Sequence, residues 1–351
     1  MKHHIAMAIG LLFLNLAIHA QTCLPGGATF TTQAQIDNFS TANPGCTQIE
    51  GNVFIQGADI TNLNSLSVLQ RIGGDFNITQ NGVLANLSGL NNLASIGGAV
   101  RIQNNPALTD LDGLESLKAV RGDYCYISDN SMLTSISGLG NLDSIAGIFQ
   151  IWSHSLLTTL SGLENLEYVG QDLAIFKNTA LTDLDGLDNL ARIGGALRIY
   201  ENDVLASMTS LEHPVDIQGA LVITDNPALS ACDVEAVCTY LMAPASFVAF
   251  SGNATGCNAD TEVIANCISP APDLALASQI RIAPNPVSEV VSIHSDTHLI
   301  KSVHVRDAMG RSLFRADNDL NRLNLSSLAS GIYLLEILIA DELVVKRVVK
   351  Q

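Results

Sequence analysis

Residues 96–119 read IGGAVRIQNNPALTDLDGLESLKA, and this unit of about 24 residues recurs from Ile49, Ile72, Ile96, Val120, Ile145, Val169, Ile193 and Ile217. So short a unit cannot bury an apolar side alone, so the eight copies across 49–243 must stack into a solenoid with one continuous core. Counted from the first residue of each copy, and one residue further on in the fourth because of an insertion, position 7 is Ile throughout: Ile55, Ile78, Ile102, Ile127, Ile151, Ile175, Ile199 and Ile223. Position 5 is apolar throughout, as Val53, Phe76, Val100, Cys125, Phe149, Leu173, Leu197 and Leu221. Apolar residues two apart, many β-branched, read as a strand with that face inward. Stacking then makes one parallel sheet with neighbours ~4.8 Å apart. Leucines at positions 13, 16, 19 and 22, as in Leu108, Leu111, Leu114 and Leu117, fill the core from the far walls. The expected fold is mainly β, a right-handed solenoid with one parallel ladder and capped ends.

Position 10 is Asn81, Asn105, Asn178, Asn202 and Asn226, with Asn130 one step later after an insertion and His154 in the fifth copy. Asn tolerates a left-handed turn and bonds neighbouring backbone, so the column reads as scaffold, and His, also enriched in left-handed turns, takes its place. Thr109, Thr134, Thr158 and Thr182 read as turn chemistry in the same way. The outward face departs from this logic. Position 8 runs Gln56, Thr79, Gln103, Ser128, Trp152, Phe176, Tyr200, Thr224, which sets aromatics on three consecutive coils. Tyr126, at position 6 of the fourth copy, lies beside them, with Arg198 two strands on. These five residues form the candidate ligand surface, since an exposed aromatic run suits sugar or protein. The competing reading is that the rings stack on each other to cover the sheet.

The pattern L-x-I-x-x-N…L-x-x-L-x-x-L-x-x-L resembles leucine-rich repeats, and the 24-residue I-G-G-x-L-x-I form resembles receptor L domains, the ligand-binding lobes of insulin- and growth-factor-type receptors. The resemblance spans 49–243 and implies a leucine-rich-repeat/L-domain solenoid. It does not carry the ligand, because fold alone does not define function. The kinase and Cys-rich domains that accompany those lobes are not recognisable in this sequence.

Around the repeats, 1–20 reads as a signal peptide: Lys2, an apolar run from Ile5 to Ile18, then Ala20. That run is short for a membrane span, so no transmembrane segment is expected in the mature chain. Residues 21–48 are expected to cap the first coil, with Cys23 and Cys46 as their natural pair. Residues 244–267 repeat the strand pattern as FVAFSGN and close the other end. There Cys232, Cys238, Cys257 and Cys267 allow three pairings, with 232–257 and 238–267 favoured. Seven cysteines leave one unpaired, and Cys125, at inward position 5, is the expected free thiol.

Residues 268–280, rich in Pro and small residues, read as a linker. Beyond them VVSIHS, IKSVHVRD, RSLFRA, RLNLSSL, GIYLLEILIA and ELVVKRVVK predict a small antiparallel sandwich. Pro284-Asn285-Pro286, Asp307-Ala308-Met309-Gly310, Gly331-Ile332-Tyr333 and the basic end Lys346-Arg347-Val348-Val349-Lys350 make 281–351 resemble the C-terminal sorting domain of type IX secretion substrates. That resemblance implies passage through the periplasm to the outer surface or medium, with the type IX machinery as partner of 281–351.

Residues 21–270 carry 25 acidic against 7 basic residues, while 271–351 carry 9 of each. So acidic a body argues against nucleic acid or anionic lipid as the main partner. Asp110/Asp112 and Asp183/Asp185 resemble paired carboxylates, but the same register holds Ser135/Ser137 and Thr159/Ser161, which makes them turn residues, with calcium a residual reading. No nucleophile motif, zinc spacing or phosphate loop is present, so neither a cofactor nor an enzyme is expected. The expected function is recognition or adhesion, with a glycan or protein ligand. A structural surface-layer component and a polysaccharide-acting enzyme are the alternatives.

Overall fold

The computed structural model describes residues 21–242, 247–268, 280–295, 299–307, 311–316, 320–339 and 342–351. The expected signal peptide, most of the linker and the tip of the 307–310 hairpin lie outside them. The chain divides into two compact units, one ending at Ala259 and one beginning at Asp260.

Among the described residues the first unit contains two parallel ladders. The ten-stranded ladder runs from Ala28–Phe30 to Val248–Ser251, and its register matches position 5 to position 5 and position 7 to position 7, as in Val100, Cys125, Phe149 and Leu173. Every position-7 Ile is at most 1% exposed, which contributes about 2 kcal/mol apiece from burial. The second ladder was not expected. Its nine strands, mostly two residues long like Ser95–Ile96, place the first residue of each copy inward. Two residues are too few to show an alternation, so the sequence pattern hides this wall. The glycines that follow explain the sharp corner between the ladders: a Cβ on Gly97 would stand 2.3 Å from the Gly73 carbonyl oxygen of the previous coil.

The ends differ from simple lids. Residues 21–48 form a coil themselves: Gln21–Cys23 joins the short ladder and Ala28–Phe30 the long one, pairing Ala28 with Val53. Helices Gln33–Asp37 and Phe39–Ala42 fill its third wall, the first opened by a Thr32/Gln35 capping box. Cys23–Cys46 closes this coil, and Cys232–Cys257 ties the last ones together. Cys238 and Cys267 are disulfide-bonded too, and Cys125 is a buried free thiol. Val248–Ser251 pairs with Leu221–Thr224 as a terminal coil.

In the second unit, Ile280–Ala283, Val290–Ser295 and Arg322–Asn324 form one antiparallel sheet. Ser312–Ala316, Ile300–Asp307, Gly331–Ile339 and Glu342–Lys350 form another. Val291, Ile293 and Leu323 of the first share a core with Val303, Val305, Leu335 and Ile337 of the second, the expected sandwich. Ile280, assigned to the linker by composition, begins a strand and is 3% exposed.

The turn after each long strand is where the first unit differs most from expectation. The left-handed residue is position 9, as Gln80, Asn104, Asp129, Ser153, Lys177, Glu201 and Asp225, with φ between 54° and 61°. The Asn column, one residue later, does something else. Each Oδ1 accepts the backbone N–H one coil earlier, as from Asn81 to Asn105 at 3.1 Å and from Asn178 to Asn202 at 3.1 Å. Each Nδ2 donates to the position-7 carbonyl of that coil, as from Asn178 to Ile151 at 3.0 Å and from Asn253 to Ile223 at 2.7 Å. The left-handed residue turns the Asn side chain inward, where it is fully buried.

His154 interrupts this column, and its φ is not the left-handed one, which falls on Ser153. Its ring nitrogens face two carbonyls, Nδ1 at 3.3 Å from Asn130 O and Nε2 at 3.2 Å from Ile127 O. A neutral imidazole has one N–H for these two acceptors, and no oxygen for the Asn130 N–H. Burial pushes the His154 pKa below its usual 6.5, against the pull of the carbonyls and of Asp129. The unfolded chain therefore takes up a proton that the folded one resists, so stability is full above pH ~6.5 and falls as pH drops below it. In urea melts at pH 7.5 and 5.5, His154→Asn should restore the column and lose less stability on acidification than wild type. Equal losses would contradict the assignment.

Burial also raises the Cys125 thiol to about 12. The native protein should leave Cys125 unalkylated at neutral pH and expose it on unfolding, as mass spectrometry would show. A disulfide to Cys125 would refute its inward register.

Candidate ligand-binding face

Alternation along the five-residue strands Tyr124–Ser128 and Ile148–Trp152 sends positions 4, 6 and 8 outward. Trp152, Phe176 and Tyr200 are cross-strand neighbours in that order. Trp152 stacks on Phe176 with centroids 5.4 Å apart and planes 5° from parallel, and Phe176 on Tyr200 at 4.6 Å and 10°. Tyr126 meets Trp152 edge-on at 5.5 Å and stacks on Tyr124 at 4.4 Å. All five rings are half-buried rather than fully exposed. They give their faces to one another and their edges to solvent, so the flat strip suggested by the sequence is a stack seen from the side. Beneath it Ser128 and Ala174, both on the outward face, are at most 1% exposed.

The structure brings Tyr126, Trp152, Phe176 and Tyr200 together as read from sequence. Arg198 stands three strands from Tyr126 rather than two, because the register runs Tyr126, Gln150, Ala174, Arg198. It pairs with Asp172 at 3.4 Å. Tyr124 and Arg101 were missed. Arg101 donates to the Tyr124 hydroxyl at 3.2 Å with its guanidinium 5.1 Å from the ring centroid, while its buried Nε has no hydrogen-bond partner among the described residues. Carrying the alternation back to position 4 would have found Tyr124.

Beside the stack, a groove of about 510 Å³ is lined by Lys177, Thr179, Glu201, Asp203, Asp225, Pro227 and Gly252. Lys177 and Glu201, which directly follow Phe176 and Tyr200, are paired at 3.6 Å. Burial and the Glu201 charge raise the Tyr200 pKa against the opposing effect of Arg198, so its phenol stays a donor.

The Asp pairs sit in turns: Asp110 Oδ1 accepts the Asp112 N–H at 3.1 Å and Asp183 Oδ1 the Asp185 N–H at 3.1 Å, a bond that Ser135 and Thr159 repeat for Ser137 and Ser161. The Thr109, Thr134 and Thr182 hydroxyls donate to carbonyls one coil back. In the second unit Asn285 locks the Pro284-Asn285-Pro286 start to the last strand, donating to Arg347 O and accepting from Val349 N, each at 2.9 Å. Tyr333 donates to Ala329 O at 2.8 Å two residues after Gly331, and Asp307 accepts from Arg311 across the hairpin. Lys346 and Lys350 lie on that last strand.

Two family models match the chain: Receptor L domain over residues 45–136, and Secretion system C-terminal sorting domain over residues 281–351. No curated protein matches it. The first match covers four coils, and the later coils extend the same two ladders. No helix among the described residues is long and apolar enough to cross a membrane. The chain thus joins a repeat unit whose first coils match the receptor L domain to a C-terminal sorting domain, which indicates secretion or outer-surface localisation.

Proposed function

We propose that this is a recognition or adhesion protein, exported by type IX secretion, that binds a glycan or protein through the outward face between Tyr124 and Tyr200. The observation that carries the reading is a continuous run of five aromatic rings on the outward face of four consecutive coils, with Arg101 at one end and the Lys177–Glu201 groove beside the other. Stacked rings leave their edges, the positive part of the quadrupole, for ligand oxygens. Such a surface favours an extended chain laid across the coils. The reading is of a binder rather than an enzyme, since the carboxylate pairs are engaged in turns.

Burial of Ser128 and Ala174 favours a second reading, in which the rings shield the sheet of a structural surface component. Replacing Trp152 and Phe176 by Ala separates the two. Loss of stacking should cost about 1–3 kcal/mol of stability, and affinity for a ligand identified by glycan and protein array should fall by ~2 kcal/mol, or ~30-fold. Unchanged affinity would move the site elsewhere.

Export is tested by deleting 281–351. The repeat unit should then be retained in the periplasm while the intact protein reaches the surface or medium. Equal surface amounts of both forms would exclude a sorting role.

A further inference from the structure

Residues 21–259 carry seven Lys and Arg side chains amid a large acidic excess. Four are engaged: Arg101 on Tyr124, Lys177 with Glu201, Arg192 with Asp216 and Arg198 with Asp172. The other three, Arg71, Lys118 and Arg121, have no ion pair among the described residues, and they gather on the short-strand ladder. Arg71 is on Arg71–Ile72, while Lys118 and Arg121 flank Ala119–Val120, two strands along. With acids so numerous, three neighbouring cations left unpaired are the exception.

Between them the surface is recessed. Arg71, Ser95, Gly97 and Arg121 line a hollow of about 240 Å³. Its floor is backbone because the coil contact leaves no room for a Cβ at Gly97. The Ser95 hydroxyl makes no hydrogen bond among the described residues. Both guanidiniums are exposed. Of the nearby acids, Glu50 lines a separate recess on the other side of Arg71 without an ion pair to it, and the Asp143 carboxylate accepts from the Ser144 hydroxyl.

We infer that Arg71 and Arg121, with Ser95 between them, form a binding site for a single oxyanion group, a carboxylate or sulfate borne by a small or otherwise neutral ligand. Two planar guanidiniums offer forked donors to such a group from either wall, the hydroxyl adds a third contact, and Lys118 adds charge. The acidic excess of the surrounding surface repels polyanions and anionic bilayers, which selects for an isolated charge.

The test is calorimetric titration of the full mature protein at low ionic strength, where screening is weak. Probes are sodium sulfate, glucuronate, uncharged glucose and phosphatidylglycerol vesicles, applied to wild type, to Arg71→Gln with Arg121→Gln, and to Arg192→Gln as an ion-paired control from the same repeat column. Melting curves confirm that each variant folds. Sulfate or glucuronate should bind saturably to wild type and to Arg192→Gln, and at least ~10-fold more weakly to the double variant, with glucose and vesicles inert. Absence of saturable anion binding, equal affinity in the double variant, an equal loss in Arg192→Gln, or preference for vesicles would each overturn the site.

Discussion

The solenoid depends on one recurring contact, the buried amide that follows each long strand. At this corner the backbone turns through a left-handed residue and leaves an N–H and a carbonyl facing the core. An unsatisfied buried group of this kind costs about 1–3 kcal/mol, and the corner recurs in seven successive coils. The Asn side chain supplies an acceptor and a donor at the spacing required, bonding the previous coil at both points. Because Oδ1 of one coil takes the N–H of the coil before it, the column sets both stacking distance and register. The final Asn253 is held in turn by Asn258 and Cys257.

The same stacking distance governs the outer surface. Strands ~4.8 Å apart bring side chains at equal repeat positions to nearly the separation of stacked aromatic rings. Aromatics placed at position 8 of consecutive coils must therefore pack face to face, as Trp152, Phe176 and Tyr200 do. A ligand meets the stack as a corrugated edge, and the groove at Lys177, Glu201 and Asp225 arises because the left-handed corner immediately follows the aromatic position. Scaffold and candidate surface are thus adjacent parts of one 24-residue unit.

Close stacking also explains the glycine corner and the charge pattern on it. Where coils touch through backbone, side chains are excluded, and the recess at Gly97 is walled by Arg71 and Arg121 from other coils. Elsewhere on this unit Arg192 meets Asp216 and Arg198 meets Asp172, each one coil away.

Periodicity alone determined the solenoid, the inward Ile and Leu walls and the buried Cys125, because each rests on burial repeated at fixed spacing. The aromatic column was legible for the same reason. Tertiary structure decided what spacing does not encode: the two-residue ladder, too short to show an alternation; the left-handed residue, one place before the Asn that marks the turn; and the orientation of Trp152, Phe176 and Tyr200. Counting residues tells which side chains share a face. Whether their rings look outward or at each other depends on how closely the coils approach, and that distance is set by hydrogen bonds between residues a full repeat apart.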